Sequence, residues 1–428
     1  MSVMLATKFF APSARPDLLP RPQLLRRLED GLRAGRRVTL VTAPAGYGKS
    51  TLITAWLASR AEPFAWLSLD AGDNDPARFL AYLFAACQRA TGELLGPPPD
   101  SLVTSPLAPA DLMMMPLINS LAGRETPLVF VLDDYHYIQA TYVHDCIQCL
   151  VDHQPAGIHL VLVTRVDPPL SLPRWRVRNQ ITEMRTDDLR FSPDEAAAFL
   201  RGLTGLALPD EAVALLDART EGWVAGLQLA ALSMQGWDAD RAAAFIRSFS
   251  GTHHFVLDYL VDEVLRQQAP EVREFLCQTA ILDRLGADLC DAVTARQESR
   301  TMLARLAQSN LFLIPLDESR QWYRYHHLFA DVLRMQSDRR LQAPLHLRAA
   351  HWFEAHGEPA EAVRHALAAE DSAEAERLIL AAADGMLQSG LGRTVLEWLA
   401  LLPAERLMAN PDLIATHAWA LFLTGKVP

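Results

Sequence analysis

The chain has 428 residues, 50% hydrophobic and 21% charged, a length that holds roughly two to four domains, each able to bury a core. Its formal net charge of −11 argues against gripping nucleic acid through a broad basic surface. Five sparse cysteines, Cys87, Cys146, Cys149, Cys277 and Cys290, argue against a disulfide framework and fit a reducing compartment.

The opening "MSVMLATKFFAPSARPDLLP" lacks the apolar run of a signal peptide, and no window approaches the ~18 uninterrupted apolar residues of a membrane span. The expected location is cytoplasmic, with no membrane partner. "VTLVTAP" (38–44) reads as a buried strand, and a helix starts near Lys49. "FAWLSLD" (64–70) is a second strand. "DPARFLAYLFAACQRA" (75–90) is a helix, with Asp75 or Asn74 able to cap it and Pro76 suited to its first turn. "GPPPDSLVTSP" (96–106) is a loop, and "LVFVLDDY" (128–135) and "IHLVLVTR" (158–165) are the third and fourth strands. Continuous apolar runs joined by helices predict a parallel sheet with helices on both faces.

After "RFSPDEA" (190–196) the strand signals stop, and Ser192 with Glu195 forms a capping box ahead of a helix. Helical periodicity then runs to about residue 310. In "NLFLIPLDESRQWYRYHHLFADVL" (310–333) two strand-like runs flank a polar turn and a helix follows, a winged-helix pattern. From about 341 the chain is Ala-rich and helical. Gly357, Gly390 and Gly425 each stand at a turn between helices, 33 and 35 residues apart, close to the ~34-residue period of tetratricopeptide repeats. The chain ends three residues past Gly425, in the turn after a first helix. A lone repeat cannot bury its apolar face, so a fragment or truncated product of a longer protein is expected. The predicted class is multidomain α/β plus α. Its domains are a P-loop NTPase sheet domain over 1–190, a helical domain over 191–255, a winged helix over 256–340 and tetratricopeptide-like repeats over 341–428.

The chemistry concentrates in "TLVTAPAGYGKSTLI" (39–53). The usual phosphate-binding loop has Gly where this chain has Ala43. The grip lies further on, in backbone N–H groups that wrap phosphate, helped by the dipole of the next helix. Ala45, Gly46, Tyr47, Gly48, Lys49, Ser50 and Thr51 form the expected nucleotide-binding set. Gly46 and Gly48 let the backbone curl, Lys49 neutralises the β- and γ-phosphates, Ser50 ligates Mg²⁺, and Thr51 reaches the α-phosphate. A small residue with negative φ serves at Ala43 if the turn is right. The apolar strand ending in Asp133 and Asp134 is the second element. Asp133 is the expected Mg²⁺ ligand beside Ser50. Asp134 is the candidate for polarising water, with a helix N-cap as its alternative, and Lys49 is the other candidate catalytic group. Asp is a methylene shorter than the Glu of many fast NTPases, which predicts slow hydrolysis. Arg165, at a strand end, is the expected γ-phosphate sensor, with a surface Arg as its alternative.

Two other clusters carry less. "CIQC" (146–149) has redox spacing without a partner pair and reads as two small buried side chains on one helix face. His326, His327, His346, His351 and His356 straddle a predicted boundary, and no metal beyond Mg²⁺ is expected.

Together, "LLPRPQLLRRLEDGLRAGRRVTLVTAPAGYGKSTL", "FAWLSLDAGDNDPARFLAYL", "LVFVLDDYHYI", "LVLVTR", "LRFSPDEAAAFL", "TEGWVAGLQLAALSM", "HHFVLDYLVDEVL" and "YRYHHLFADVLR" resemble the MalT-like, LuxR-type large ATP-binding regulators of the STAND class. The resemblance runs from about residue 7 to the end, and Ala43 is common in that family. It implies a nucleotide-binding domain, a helical domain, a winged-helix arm, a superhelical repeat sensor and a C-terminal helix-turn-helix. It also implies that Arg21 lies near the nucleotide and that His326, in "YHH", touches the ADP β-phosphate, packing in the winged-helix core being the alternative. Val224 stands in "EGWVAG" where the family usually carries a Pro that approaches adenine.

The expected function is therefore an ATP/ADP switch. Slow hydrolysis resets a closed monomer against an open, self-associating state, under a small-molecule or protein inducer on the repeats. The rivals are a rapidly turning ATPase of the remodelling kind, a DNA binder acting through the winged helix, and a truncated paralogue working through protein partners. Residues 283–340 hold nine Arg, no Lys and eight acids, too balanced for a phosphate-gripping face. No specific DNA binding by this chain alone is expected.

Overall fold

The structure is a computed structural model that describes residues 4–12, 19–92, 109–124, 126–388 and 391–424. The loop expected at 96–106 and the turns expected at Gly390 and Gly425 lie outside these residues. Two compact units divide the chain: Met1–Phe249 with Gln308–Leu311, and Ser250–Ala307 with Phe312–Pro428.

In the first unit, β1 (Val38–Thr42), β2 (Phe64–Ser68), β3 (Leu128–Asp133), β4 (Ile158–Thr164) and β5 (Ile181–Met184) form one parallel sheet in the order β2-β3-β4-β1-β5. Every residue of β1, β3 and β4 is buried, because helices cover both faces. Val38, Leu40, Leu67, Phe130, Leu132, Leu160 and Leu162 face a core shared with α3 (Pro76–Thr91) and with the helices Ala110–Ala122 and Thr141–Asp152. On the other face, the edge of Trp56 in α2 (Lys49–Ala58) meets His159, whose Nε2 lies 2.9 Å from Thr39 Oγ1. There α1 (Pro22–Arg33) also packs on β5, close enough that a Cβ on Gly31 would fall 2.1 Å from Thr182 Oγ1. Each large side chain buried this way contributes roughly 1.5–3 kcal/mol.

The helix over 75–90 forms with Asp75 as its cap, accepting from Arg78 N at 2.7 Å, and with Pro76 in its first turn. The strand β5 was not expected. Its "ITEM" string carries two polar residues, and Glu183 is satisfied by Arg176 and Arg185.

The first unit continues through helices at Pro193–Thr204, Asp210–Thr220, Val224–Ser233 and Ala239–Ser248. The capping box forms: Ser192 Oγ accepts from Glu195 N at 3.2 Å, and Ser192 N donates to Glu195 Oε2 at 2.9 Å.

In the second unit, β7 (Leu313–Pro315) and β8 (Trp322–Tyr325) form the expected antiparallel hairpin. Asp317 holds its turn by accepting from Gln321 N at 2.9 Å and Trp322 N at 3.1 Å. A short β6 (Leu285–Gly286) pairs with the far edge of β8, and the helix His327–Gln336 follows. Helices then run through Arg339–Ala355, Pro359–Ala368, Ser372–Gln388, Gly392–Ala400, Ala404–Ala409 and Pro411–Leu423, the first four packing in sequence and Gly392–Ala400 packing also on Pro411–Leu423. Gly357 turns between the first two with φ of 74°, a conformation that favours glycine.

Candidate functional site

Strand order sets the site. β4 lies between β1 and β3, with Thr42 opposite Thr164 and Leu132 opposite Leu162. The carboxyl ends of these three strands therefore bring the loop after β1, the acids ending β3 and Arg165 together at one rim. Ligands of open parallel sheets bind at such a rim.

The loop is shaped by its glycines. Gly46 (φ 78°) and Gly48 (φ 73°) are left-handed, the second as the N-cap residue of α2. Ala43 is fully buried, is not among the residues of positive φ, and sends its N–H to Thr164 O at 3.4 Å. The residue that departs from the usual pattern thus sits on the sheet side of the turn, where glycine is not required.

Lys49 is 8% exposed, and its Nζ donates to Pro44 O at 2.8 Å. Burial, followed by nearby Arg165, lowers its pKa to about 8 against the pull of Asp134 and Asp133. Ser50 Oγ donates to Asp133 Oδ1 at 2.9 Å. Asp133 is 4% exposed and also accepts from Asp134 N at 3.0 Å. Burial, with Asp134 adding to it, raises the Asp133 pKa to about 6. Ser50 and Asp133 form an all-oxygen pair, the donor type hard divalent cations take. A buried carboxylate beside a second carboxylate gains from a cation. These two residues fit Mg²⁺ and are the groups that would hold it.

Asp134 is left-handed (φ 57°), which Asp tolerates better than most residues. It makes no side-chain cap bond to the short turn after it, so the N-cap alternative is not what its carboxylate does. Thr164 Oγ1 donates to Val166 O at 2.8 Å, closing a tight turn at Arg165, and the Arg165 carbonyl accepts from Asn310 Nδ2 at 2.9 Å.

Sequence reasoning gave no role to His136, in the same "DDYH" string. Its side chain is 10% exposed, with Nδ1 3.8 Å from Asp134 Oδ1. Burial, then the charges of Arg165 and Lys49, lower its pKa to about 3, so it is neutral. The available signal was a His two residues after the second strand acid.

Beside the loop, a cavity of about 370 Å³ is lined by Arg21, Tyr47, Gly48, Thr51, Phe191 and Val224, among others. Arg21 borders it, but its guanidinium is engaged elsewhere. It donates to Leu189 O at 2.7 Å, Arg190 O at 2.8 Å and Glu195 Oε1 at 3.0 Å. Ala45 and Gly46 meet partners that sequence reasoning also missed. Trp223 Nε1 donates to Ala45 O at 3.0 Å, and Ala225 N donates to Gly46 O at 3.0 Å.

His326 belongs to the second unit. There it is the N-cap residue of the helix 327–336, donates its N–H to Phe312 O at 2.8 Å and meets the Phe312 ring edge-on. The clustered histidines point to separate partners: His346 to His365, His351 to Glu374, and His356 onto Trp352. Cys146 and Cys149 are buried free thiols whose pKa burial pushes up to about 12.

This sheet, its loop and its strand acids define a nucleotide-binding protein of the P-loop ATPase class. Residues 21–163 match the family described as AAA ATPase domain, and residues 261–345 match the MalT winged helix domain. The chain is similar to the HTH-type transcriptional regulator MalT of Klebsiella pneumoniae, 35% identical over 98% of this chain and 46% of that protein. With MalT of Serratia proteamaculans the identity is 34%, over 97% and 46%. The similarity runs over nearly all of this chain, which spans about half the length of the curated relatives it matches. Among solved structures it is similar to a Walker-type ATPase of Pyrococcus abyssi, at 16% identity and a TM-score of 0.49 over 75% of this chain and 97% of that one. A likeness of that size carries no functional conclusion. Among the described residues no helix is long and apolar enough to cross a membrane.

Proposed function

We propose that the chain is the nucleotide-dependent switch part of a MalT-type regulator, binding ATP or ADP with Mg²⁺ and hydrolysing ATP slowly. The observation that carries this reading is the Ser50–Asp133 hydrogen bond, which joins the phosphate-binding loop to the acidic strand. Loop N–H groups from Ala45 to Thr51 receive phosphate, and Lys49 neutralises it from inside the loop. Mg²⁺, held by Ser50 and Asp133, supplies neutralisation of charge on the outer phosphates. Asp134, 44% exposed, is proposed to orient a water, and His136 beside it stays neutral at that rim. Arg165 is proposed as the sensor of the terminal phosphate, and Val224 and Phe191 as apolar walls for the base.

Arg21 is proposed to stand beside the nucleotide at the cavity's border, its guanidinium ordering the wall through Leu189, Arg190 and Glu195. On the resemblance alone, His326 is the winged-helix residue proposed to respond to bound nucleotide. The division into domains at 1–190, 191–255, 256–340 and 341–428, the inducer on the repeats, self-association with ATP and a cytoplasmic location remain proposals on the same footing.

Titration of the wild type and Lys49→Ala with ADP and ATP tests the site. A charge-assisted contact is worth roughly 1.5–3 kcal/mol, so affinity should fall about 10- to 150-fold, and unchanged affinity rejects the site. Steady-state turnover tests the switch. A rate at or above the ~10 s⁻¹ of typical enzymes rejects a slow reset in favour of a rapidly turning ATPase.

A further inference from the structure

We infer that Trp223 is a positioning residue for phosphate: its indole N–H, together with the Ala225 N–H, fixes the peptide planes of the loop so that their N–H groups face the ligand. This inference rests on the nucleotide-binding reading above and names which residues outside the loop prepare it.

A loop that cradles phosphate must turn consecutive N–H groups inward and the matching carbonyls outward. Each peptide unit is planar and trans, so its C=O and N–H point in opposite directions. Fixing one therefore fixes the other. Trp223 Nε1 lies 3.0 Å from the Ala45 carbonyl oxygen, which sets the plane carrying the Gly46 N–H. Ala225 N lies 3.0 Å from the Gly46 carbonyl oxygen, which sets the plane carrying the Tyr47 N–H. Gly46 is the flexible residue between them, at φ 78°. Without an external hold, its backbone has more freedom than any other residue type, and ordering it on binding costs free energy. The two bonds meet that cost at folding, which is preorganisation.

The clamp is itself rigidly made. Glu221 (φ 51°) and Gly222 (φ 67°) are consecutive left-handed residues that turn the chain toward the loop. A Cβ on Gly222 would fall 2.5 Å from Phe191 O, and one on Gly226 would fall 2.6 Å from the Trp223 ring. Gly222 O accepts from Phe191 N at 3.0 Å, and Trp223 N reaches Thr220 O at 2.8 Å. Trp223 is fully buried, and Gly226, lacking a Cβ, leaves the room its indole ring occupies. The neighbouring Tyr47 side chain is also buried, with Arg190 against its hydroxyl.

The test is Trp223→Phe in the full chain, which keeps the ring and removes the N–H. Incorporation of benzothienyl-alanine at 223 is a second, near-isosteric form in which sulfur replaces the N–H, so packing is retained if the Phe variant does not fold. Affinity for ADP and for adenosine is measured by calorimetry, with melting curves to confirm folding. A buried carbonyl left without its donor loses about 1.4 kcal/mol, so ADP binding should weaken about tenfold. Adenosine, which has no phosphate, should bind within about twofold of wild type. Equal losses for both ligands overturn the inference in favour of general support of the fold, and an unchanged ADP affinity overturns it outright. If the wild type itself binds no ADP, it is the nucleotide-binding reading that fails.

Discussion

Ser50 and Asp133 stand 83 residues apart in the chain, yet the Ser50 hydroxyl donates to the Asp133 carboxylate at 2.9 Å. The bond couples the first turn of α2 to the end of β3. Asp133→Asn keeps the shape and removes the charge. ATP turnover should fall by about 10²–10³, the scale of losing one electrostatic stabiliser. ADP affinity measured with a metal chelator should change less than about threefold. A variant that loses both equally would locate Asp133 in the fold rather than in cation handling.

Ala43 predicts a second outcome. It is fully buried at the end of β1 and has no positive φ. Ala43→Gly should therefore leave nucleotide affinity within about twofold, while costing about 0.5–1 kcal/mol of stability through backbone entropy. Denaturant unfolding and ADP titration check the two halves separately. A gain in affinity would show the usual glycine to matter here.

Arg21 predicts a stability effect. Its guanidinium serves three backbone carbonyls and Glu195 at once and is 13% exposed. Arg21→Ala should cost about 1.5–3 kcal/mol, read by denaturant unfolding. Arg21→Lys should recover little of it, since a point charge cannot occupy the same fork of acceptors.

The paired histidines of the second unit predict a pH dependence. His346 Nδ1 and His365 Nδ1 are 2.8 Å apart, and His365 stacks on Phe353. Burial, then Arg364, lowers the pKa of His346 to about 4 and of His365 to about 3, with Arg334 acting on His346 as well. Asp283 and Glu361 pair with Arg364 and temper its charge. The unfolded chain, with His pKa near 6.5, binds more protons than the folded one below that value. Stability is therefore full above about pH 6.5 and falls as pH drops toward 4, by up to about 1.4 kcal/mol per pH unit for each proton difference. Melting temperature against pH should show a shallower slope in His365→Gln than in wild type.

What the sequence announced and what it hid follow one physical division. β1, β3 and β4 are buried on both faces, so their residues form unbroken apolar runs that read directly. β5 sits at the sheet edge with Glu183 tied to two arginines, and those partners turn a polar residue into an acceptable strand residue. β6 has two residues and no period to read. The loop and the strand acids are local strings, so their chemistry was legible. Trp223 acts on a carbonyl 178 residues away, and Arg21 on carbonyls 167 to 169 residues away. Nothing in either neighbourhood encodes such a meeting, because a backbone carbonyl has no letter of its own.

The Glu195 carboxylate closes the capping box of the helix 193–204 and also receives the Arg21 guanidinium. One side chain thereby ends two different openings. Fraying of that helix start frees the carboxylate that holds Arg21, and release of Arg21 removes a bond that orders the same carboxylate, so the two openings are coupled. The amides around 192–195 and 21–25 should exchange with solvent as a single cooperative unit, sharing one opening free energy.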